Sequence, residues 1–253
     1  SFCIYKDGLL MISPYIGDLK NVATFDRFKD IFTLFETTYD LKIDKVIADL
    51  HPNFLNTKWA KEQGFELVHL QHHYAHLLSV VFENDLPDKE YLGFCFDGTG
   101  YGEDGKIWGG EVFRLDKNSY KRVYHFDEFS LFGGENSIKN IYLIAYSIIL
   151  NYQLEDEGHK FLVNFDEKVL RNFKMMEQKG LNLVKTSSVG RIFDAFGAII
   201  CGIFHSSFEG ESGMRLEALY DKNLDACYKF SLNDGVISFK DAFKSALKDE
   251  PRV

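Results

Sequence analysis

QHHYAHLLSVVFENDLPDKEYLGFCFDGTGYGEDGKIWGGE, residues 71–111, is the stretch on which the reading of this 253-residue chain turns. His72 and His76 stand four residues apart in a run of helical character. Four positions is a little over one helical turn, so both imidazoles fall on one face. Tyr91 to Phe96 then reads as a strand that ends at Asp97 and opens into Gly98-Thr99-Gly100-Tyr101-Gly102. A carboxylate at a strand end, followed by a glycine-rich turn, suits a phosphate that carries a metal ion. The expectation is a metal–nucleotide centre built from these pieces.

A divalent cation needs neutral imidazole nitrogens presented together, and an i,i+4 pair does this. Two histidines alone bind loosely, so an oxygen ligand should join them, and Asp97 is the natural one. His73 lies about 100° round the helix from His72 and is expected to serve a substrate or the shell behind the ligands rather than the same ion. The competing reading is that His72, His73 and His76 are polar residues of a packed helix. No glutamate stands between the pair, so the HEXXH pattern of zinc proteases is absent. Two imidazoles and a carboxylate accept Fe, Zn, Mn or Ni.

Gly98, Gly100, Gly102, Gly105, Gly109 and Gly110 crowd the same region. Glycines let backbone N–H groups approach and cradle phosphate oxygens. There is no Walker A sequence, and the loop leads into a strand rather than a helix, which excludes a dinucleotide fingerprint. A strand, a glycine loop and a second strand resemble the phosphate hairpins of the actin/sugar-kinase/Hsp70 superfamily. A plain hairpin turn is the competing reading, but it needs only one or two glycines. Further on, Gly190-Arg191-Ile192-Phe193-Asp194 could set a carboxylate against ribose hydroxyls, or Asp194 could be an exposed helical residue.

Composition sets the frame. Hydrophobic residues make up 45% and charged residues 26%, with 24 Phe and 13 Tyr, which predicts a folded chain with an aromatic core. A formal charge of −9 argues against a broad nucleic-acid surface. No apolar run reaches the ~18–20 residues of a membrane span, and the start has no signal-peptide pattern. The chain begins at Ser1 rather than Met, as an excised piece would. Cys3, Cys95, Cys201 and Cys227 form no CxxC, so a zinc ribbon is unsupported. Cys95 and Cys201 read as buried free thiols, which fits a reducing cytoplasm.

Along the chain, Phe2–Tyr5 and Leu9–Ser13 around Asp7-Gly8 predict a hairpin. Thr24 is the expected cap of a helix from Phe25 to Tyr39. Strands over 45–50 and 66–69 flank a helix over 53–63 that Pro52 can start, and a helix follows from Gln71. This alternation points to α/β architecture. Tyr91 onward reads as a three-strand meander, residues 137–152 as one long buried helix, and 153–185 as a polar helical excursion. Its acidic run Glu155-Asp156-Glu157 is taken as a solvated face. A helix ending near Cys201, another from about Phe208, two short strands around Asn233-Asp234-Gly235 and a last helix complete the chain.

These residues, taken in order, resemble one family. DLHP at 49–52, QHHYAH at 71–76, FDGTGYGEDGKIWGGE at 96–111, TSSVGRIFDA at 186–195 and FEGESGMRLE at 208–217 are similar to the HypF family of [NiFe]-hydrogenase maturation carbamoyltransferases. The resemblance implies an α/β fold of the actin/sugar-kinase/Hsp70 (ribonuclease H-like) kind with two lobes. Residues 1–90 would form the first lobe with the histidine helix. Residues 91–253 would form the second, with the phosphate hairpin, a helical insertion and an incomplete C-terminal part. It also implies an ATP-dependent enzyme whose YrdC-like domain makes carbamoyl-adenylate, and which passes the carbamoyl group to the C-terminal cysteine of HypE for cyanide synthesis.

Carried over, His72, His76 and Asp97 become catalytic metal ligands, with Fe or Zn the expected ion. Gly98, Thr99, Gly100, Tyr101, Gly102, Gly109, Gly110 and Gly190 become nucleotide contacts, and Asp194 meets the ribose. The chain departs from the family at Phe132-Gly133-Gly134-Glu135, where a PGGD-like segment is usual. It also lacks the late glycine stretch and NDGGI motif, of which Asn233-Asp234-Gly235-Val236 is only an echo. A small-molecule kinase of the same fold, or a fragment that binds nucleotide or partner without turnover, is the alternative.

Overall fold

The computed structural model describes residues 1–132 and 135–249. Of the departing segment Phe132-Gly133-Gly134-Glu135, the two glycines and the side chain of Glu135 therefore lie outside what is described. By packing, the chain forms two compact units, Ser1–Gln71 and His72–Val253. The expected lobe boundary falls after residue 90, whereas packing groups the histidine helix with the meander that comes after it.

The first unit opens with a hairpin, β1 (Cys3–Lys6) and β2 (Leu9–Ile12), paired antiparallel from Cys3↔Ile12 to Lys6↔Leu9. Asp7 and Gly8 both take positive φ, 49° and 84°, as a two-residue turn matched to strand twist requires. α1 (Val22–Thr38) starts earlier than its phenylalanine pattern implies. Its cap is Asn21, whose side chain accepts the Thr24 amide at 3.3 Å, so Thr24 is the residue capped and not the cap. Phe28 and Phe32 are buried and meet Trp59 edge-on at 5.2 and 4.9 Å. β3 (Val46–Asp49), α2 (Leu55–Glu62) and β4 (Leu67–Leu70) make a unit whose two strands pair in parallel.

The second unit begins with α3 (His72–Glu83) and a meander of β5 (Tyr91–Tyr101), β6 (Ile107–Leu115) and β7 (Tyr120–Phe126). The glycine segment is not an open loop. β5 continues through it, with a break of register between Phe96 and Gly100. β8 (Phe129–Phe132) follows, then α4 (Glu135–Lys139), α5 (Tyr142–Tyr152), α6 (His159–Leu162) and α7 (Glu167–Lys179). The chain next returns to the sheet as β9 (Leu183–Thr186) and enters α8 (Val189–Cys201) and α9 (Glu211–Ala218). A hairpin of β10 (Ser231–Asn233) and β11 (Val236–Ser238) precedes α10 (Lys240–Ala246). The sheet has seven strands in the order β10-β11-β7-β6-β9-β8, with β5 on β6.

Two expectations change. The helix over 137–152 is broken between Lys139 and Tyr142. The excursion over 153–185 ends in a strand, β9, paired with β8 from Phe129↔Thr186 to Phe132↔Leu183. The acidic run is also partly engaged: Glu155 reaches Lys174 at 3.0 Å and Glu157 reaches Lys244 at 3.1 Å.

The core of this unit joins α5, α8 and α10 to the sheet through Ile144, Ile148, Ala195, Ala198, Phe243 and Phe126. α5 is apolar on nearly every side, and a helix without a polar face is stable only when enclosed. Among the described residues no helix is long and apolar enough to cross a membrane.

Candidate metal centre

α3 lies across the start of the meander, and glycines in β5 give it room. A Cβ at Gly93 would come within 2.8 Å of Leu77, and one at Gly100 would collide with the His73 ring and lie 2.8 Å from His72. Helix and strand thus approach closely enough for the imidazoles to reach the strand's carboxylate. β5 supplies that carboxylate through its irregularity. Phe96 opposes Gly110 and Gly100 opposes Trp108, so Asp97, Gly98 and Thr99 bulge opposite Gly109 alone. Such a bulge re-aims side chains at the rim of a sheet.

The Nε2 atoms of His72 and His76 are 3.2 Å apart, and His72 Nε2 is 3.1 Å from Asp97 Oδ2. One donor atom from each of the three residues lies within 4.8 Å of the others. Bonds of ~2.0–2.2 Å to one ion place neighbouring ligand atoms roughly 3–3.5 Å apart. The donor set fits a divalent cation in chemistry, and the His72–His76 and His72–Asp97 separations fit it in spacing. A hydrogen bond from His72 holds the Asp97 carboxyl down to about 2, aided by the Gly98 amide and opposed by burial. An ionised oxygen is thus ready for a cation.

His73 does not share the face of the pair. It is wholly enclosed, with its ring roughly parallel to Trp108 at 6.4 Å and its Nε2 3.7 Å from Asp97 Oδ2. Burial pushes it down to about 4, with the His72 charge adding and Glu111 and Asp97 opposing. It stands as a neutral imidazole behind the cluster.

The other sequence-predicted residues divide into two groups. Gly98, Gly109, Gly110 and Gly190 gather round Asp97. A Cβ on Gly190 would be 3.1 Å from the Gly98 Cα, and one on Gly109 would strike the Asp97 carbonyl. The amides of Gly109 and Gly110 already have an acceptor, Glu111 Oε1, at 3.2 and 3.3 Å. Here these glycines serve close packing, and their N–H groups point at the protein's own carboxylate rather than outward as a phosphate cradle. Thr99 donates to the Gly98 carbonyl at 2.6 Å, Tyr101 pairs with Ile107 at the strand end, and the Gly102 amide donates to the Lys106 carbonyl at 2.9 Å.

Asp194 belongs to the second group. It is buried on α8 rather than exposed, 2.8 Å from Arg191 Nη1. Burial pushes its carboxyl up, and Arg191 and Ser212 oppose the shift.

Sequence reasoning missed Glu111, and it read Thr186-Ser187-Ser188 only as a polar start that can cap the helix to about Cys201, not as a link to Asp97. Ser188 caps α8 by accepting the Arg191 amide at 3.2 Å, and its hydroxyl lies 3.2 Å from the carbonyl of Asp97 and 2.8 Å from that of Gly98. The available signal was a lone charged residue, Glu111, inside the otherwise uncharged run IWGGEVF.

Two family models match the chain. "HypF Kae1-like domain" covers residues 1–83, and "Carbamoyltransferase, Kae1-like Domain, second subdomain" covers residues 93–252. They part on the far side of the histidine helix from the division by packing. Carbamoyltransferase HypF of Synechocystis sp. is 31% identical over 248 residues, 91% of this chain and 32% of that protein. Probable carbamoyltransferase HypF of Methanocaldococcus jannaschii is 35% identical over 228 residues, 87% of this chain and 30% of the relative. A crystal structure of full-length HypF in the phosphate- and nucleotide-bound form superposes with a TM-score of 0.87 at 29% identity, over 96% of this chain and 32% of that one. HypF of T. kodakarensis does so at 0.83 and 30% identity, over 97% and 34%. The fold is thus the mixed α/β, Kae1-like one, and the chain spans about a third of the length of these relatives. With both family models matched in order along nearly all its residues, the chain belongs to the HypF carbamoyltransferase family.

Proposed function

We propose that this chain provides the site at which a HypF protein transfers a carbamoyl group from carbamoyl-adenylate to the C-terminal cysteine of HypE. The observation that carries the reading is the convergence of His72, His76 and Asp97 within 4.8 Å of one another. These three residues would hold a divalent cation, Fe or Zn, which supplies Lewis-acid polarisation of a carbonyl or anchorage of a phosphate.

The remaining work falls to the chain itself. The first turn of α8 faces Gly98, and its leading N–H groups that have no intrahelical acceptor and are not taken by the Ser188 cap would receive the adenylate phosphate. In the neighbouring glycine segment the Gly98 amide donates to Asp97 Oδ1 and the Gly102 amide to the Lys106 carbonyl, so a phosphate would meet them only in exchange for those bonds, and Asp194 would reach the ribose only by letting go of Arg191. The attacking thiolate comes from the partner. A C–S bond forms at the carbamoyl carbon, the C–O bond to the phosphate breaks, and AMP departs with the electron pair. The adenylate would come from the YrdC-like domain of the whole protein. A kinase using Asp97 as base is disfavoured, because a carboxyl held at about 2 accepts a proton poorly at neutral pH.

Replacing both His72 and His76 with Ala is expected to abolish metal retention and carbamoyl transfer in the intact protein. Elemental analysis of the purified variant is the check. Metal content equal to that of the unaltered protein would overturn the assignment.

A further inference from the structure

Glu111 sits in the middle of β6 with none of its surface exposed. Its Oε1 accepts the amides of Gly109 and Gly110 and the hydroxyl of Ser187, and its Oε2 accepts Arg122 Nε at 2.5 Å. Arg122 is itself braced over the Trp108 ring at 4.1 Å. Compared with apolar residues of the same volume, a buried ion pair adds little net stability, so stability does not account for a carboxylate here.

What the carboxylate places does account for it. Ser187 and Ser188 form the turn from β9 into α8, and the Ser188 hydroxyl holds the carbonyls of Asp97 and Gly98 at 3.2 and 2.8 Å. The path from Glu111 through Ser187 and Ser188 to the Asp97 backbone is continuous. The same carboxylate fixes the glycine step that packs against the Asp97 carbonyl.

We propose that Glu111 is a positioning residue: it anchors the β9–α8 turn and so sets the Asp97 carboxylate at ligand distance from His72 and His76. The inference rests on the metal reading of those three residues. In this role Glu111 acts through Ser187 and Ser188 and is not itself a metal ligand.

The test is a titration of the metal-free intact protein with Co²⁺ alone, followed by its visible d–d absorption, alongside thermal unfolding. Glu111→Gln keeps the shape, but whichever way the amide turns it sets donor against donor, toward Arg122 or toward the Gly109 and Gly110 amides. Glu111→Gln and Ser188→Ala are each expected to weaken Co²⁺ binding by about 10–100-fold and to alter the spectrum. The double variant should be no weaker than the worse single one, because both act on one path. Affinity and spectrum like the unaltered protein's in Glu111→Gln, or losses that simply add in the double variant, would overturn the proposal. Should Glu111→Gln fail to fold, Ser187→Ala leaves the Arg122 pair intact and must show the same loss of affinity. If the unaltered protein takes up no Co²⁺, the metal reading itself falls and the proposal with it. If it binds and the variants match it, the positioning role alone falls.

Discussion

Charge at the single-residue scale is unusually concentrated around Asp97. Its carboxyl lies close to the enclosed Glu111 and the neutral His73, and the influence of the two carboxylates reaches Cys95. Burial, then Asp97, then Glu111 push that thiol up to about 12. A group whose pKa lies that far above the solution pH stays protonated, and only about one part in ten thousand is thiolate at pH 8. Iodoacetamide at pH 8 is therefore expected to label the exposed Cys3 and Cys227 while Cys95 stays unmodified until the protein is unfolded. Peptide mass spectrometry of labelled native protein reads this directly, and early modification of Cys95 would contradict it. The sequence marked Cys95 as a buried thiol from its apolar neighbours. It showed Asp97 two positions on but gave no hint of Glu111, which meets Cys95 only through cross-strand pairing.

Among the elements, the decisive join is β5 against β6, with α3 above and α8 at the end. Gly110 shows how little space that join leaves. A Cβ there would lie 2.5 Å from the Phe126 ring and 2.5 Å from the Ser187 carbonyl, which is backbone and cannot swing aside. Gly110→Ala is expected to destabilise the second unit by about 1–3 kcal/mol, the range for overpacking a filled interior. Urea unfolding of the variant should show a lower midpoint with an unchanged slope.

Long elements with a clear period were legible at this scale. These include α1 with its spaced phenylalanines, α8 behind its serines, and the β6–β7 strands. The hairpins at Asp7-Gly8 and Asp234-Gly235 were legible too, since each needs two residues at positive φ and local chemistry alone supplies them. β8 and β9, of four residues each, were not. A strand so short carries no period, and it exists because each supplies the other's hydrogen bonds across some fifty residues of intervening chain. The run of β5 through its glycines was hidden for the same reason: partners on β6 override the low strand propensity of Gly.

For the whole molecule, the second unit closes through α10, late in the chain. Phe243 is almost fully buried, stacks on Phe196 of α8 with centroids 4.1 Å apart, and joins the core that spans α5, α8 and the sheet. Phe243→Ala is expected to cost about 3–5 kcal/mol, the usual range for removing a buried aromatic side chain. Near-ultraviolet circular dichroism during denaturation should show the transition move earlier. A loss below about 1 kcal/mol, the size of a surface change, would mean that α10 is not part of that core.

The sequence alone was sufficient for the α/β class, the helical placement of His72 and His76, the glycine richness beside Asp97 and the family resemblance. Each of these depends on residue type and on spacing within a few positions. Tertiary structure decided which donors meet, that His73 turns inward, that Asp194 is buried against Arg191, and that the Gly109 and Gly110 amides are taken by Glu111. Those outcomes depend on groups far apart in sequence competing for the same hydrogen bonds and the same few ångströms of space, and spacing along a chain holds no record of that competition.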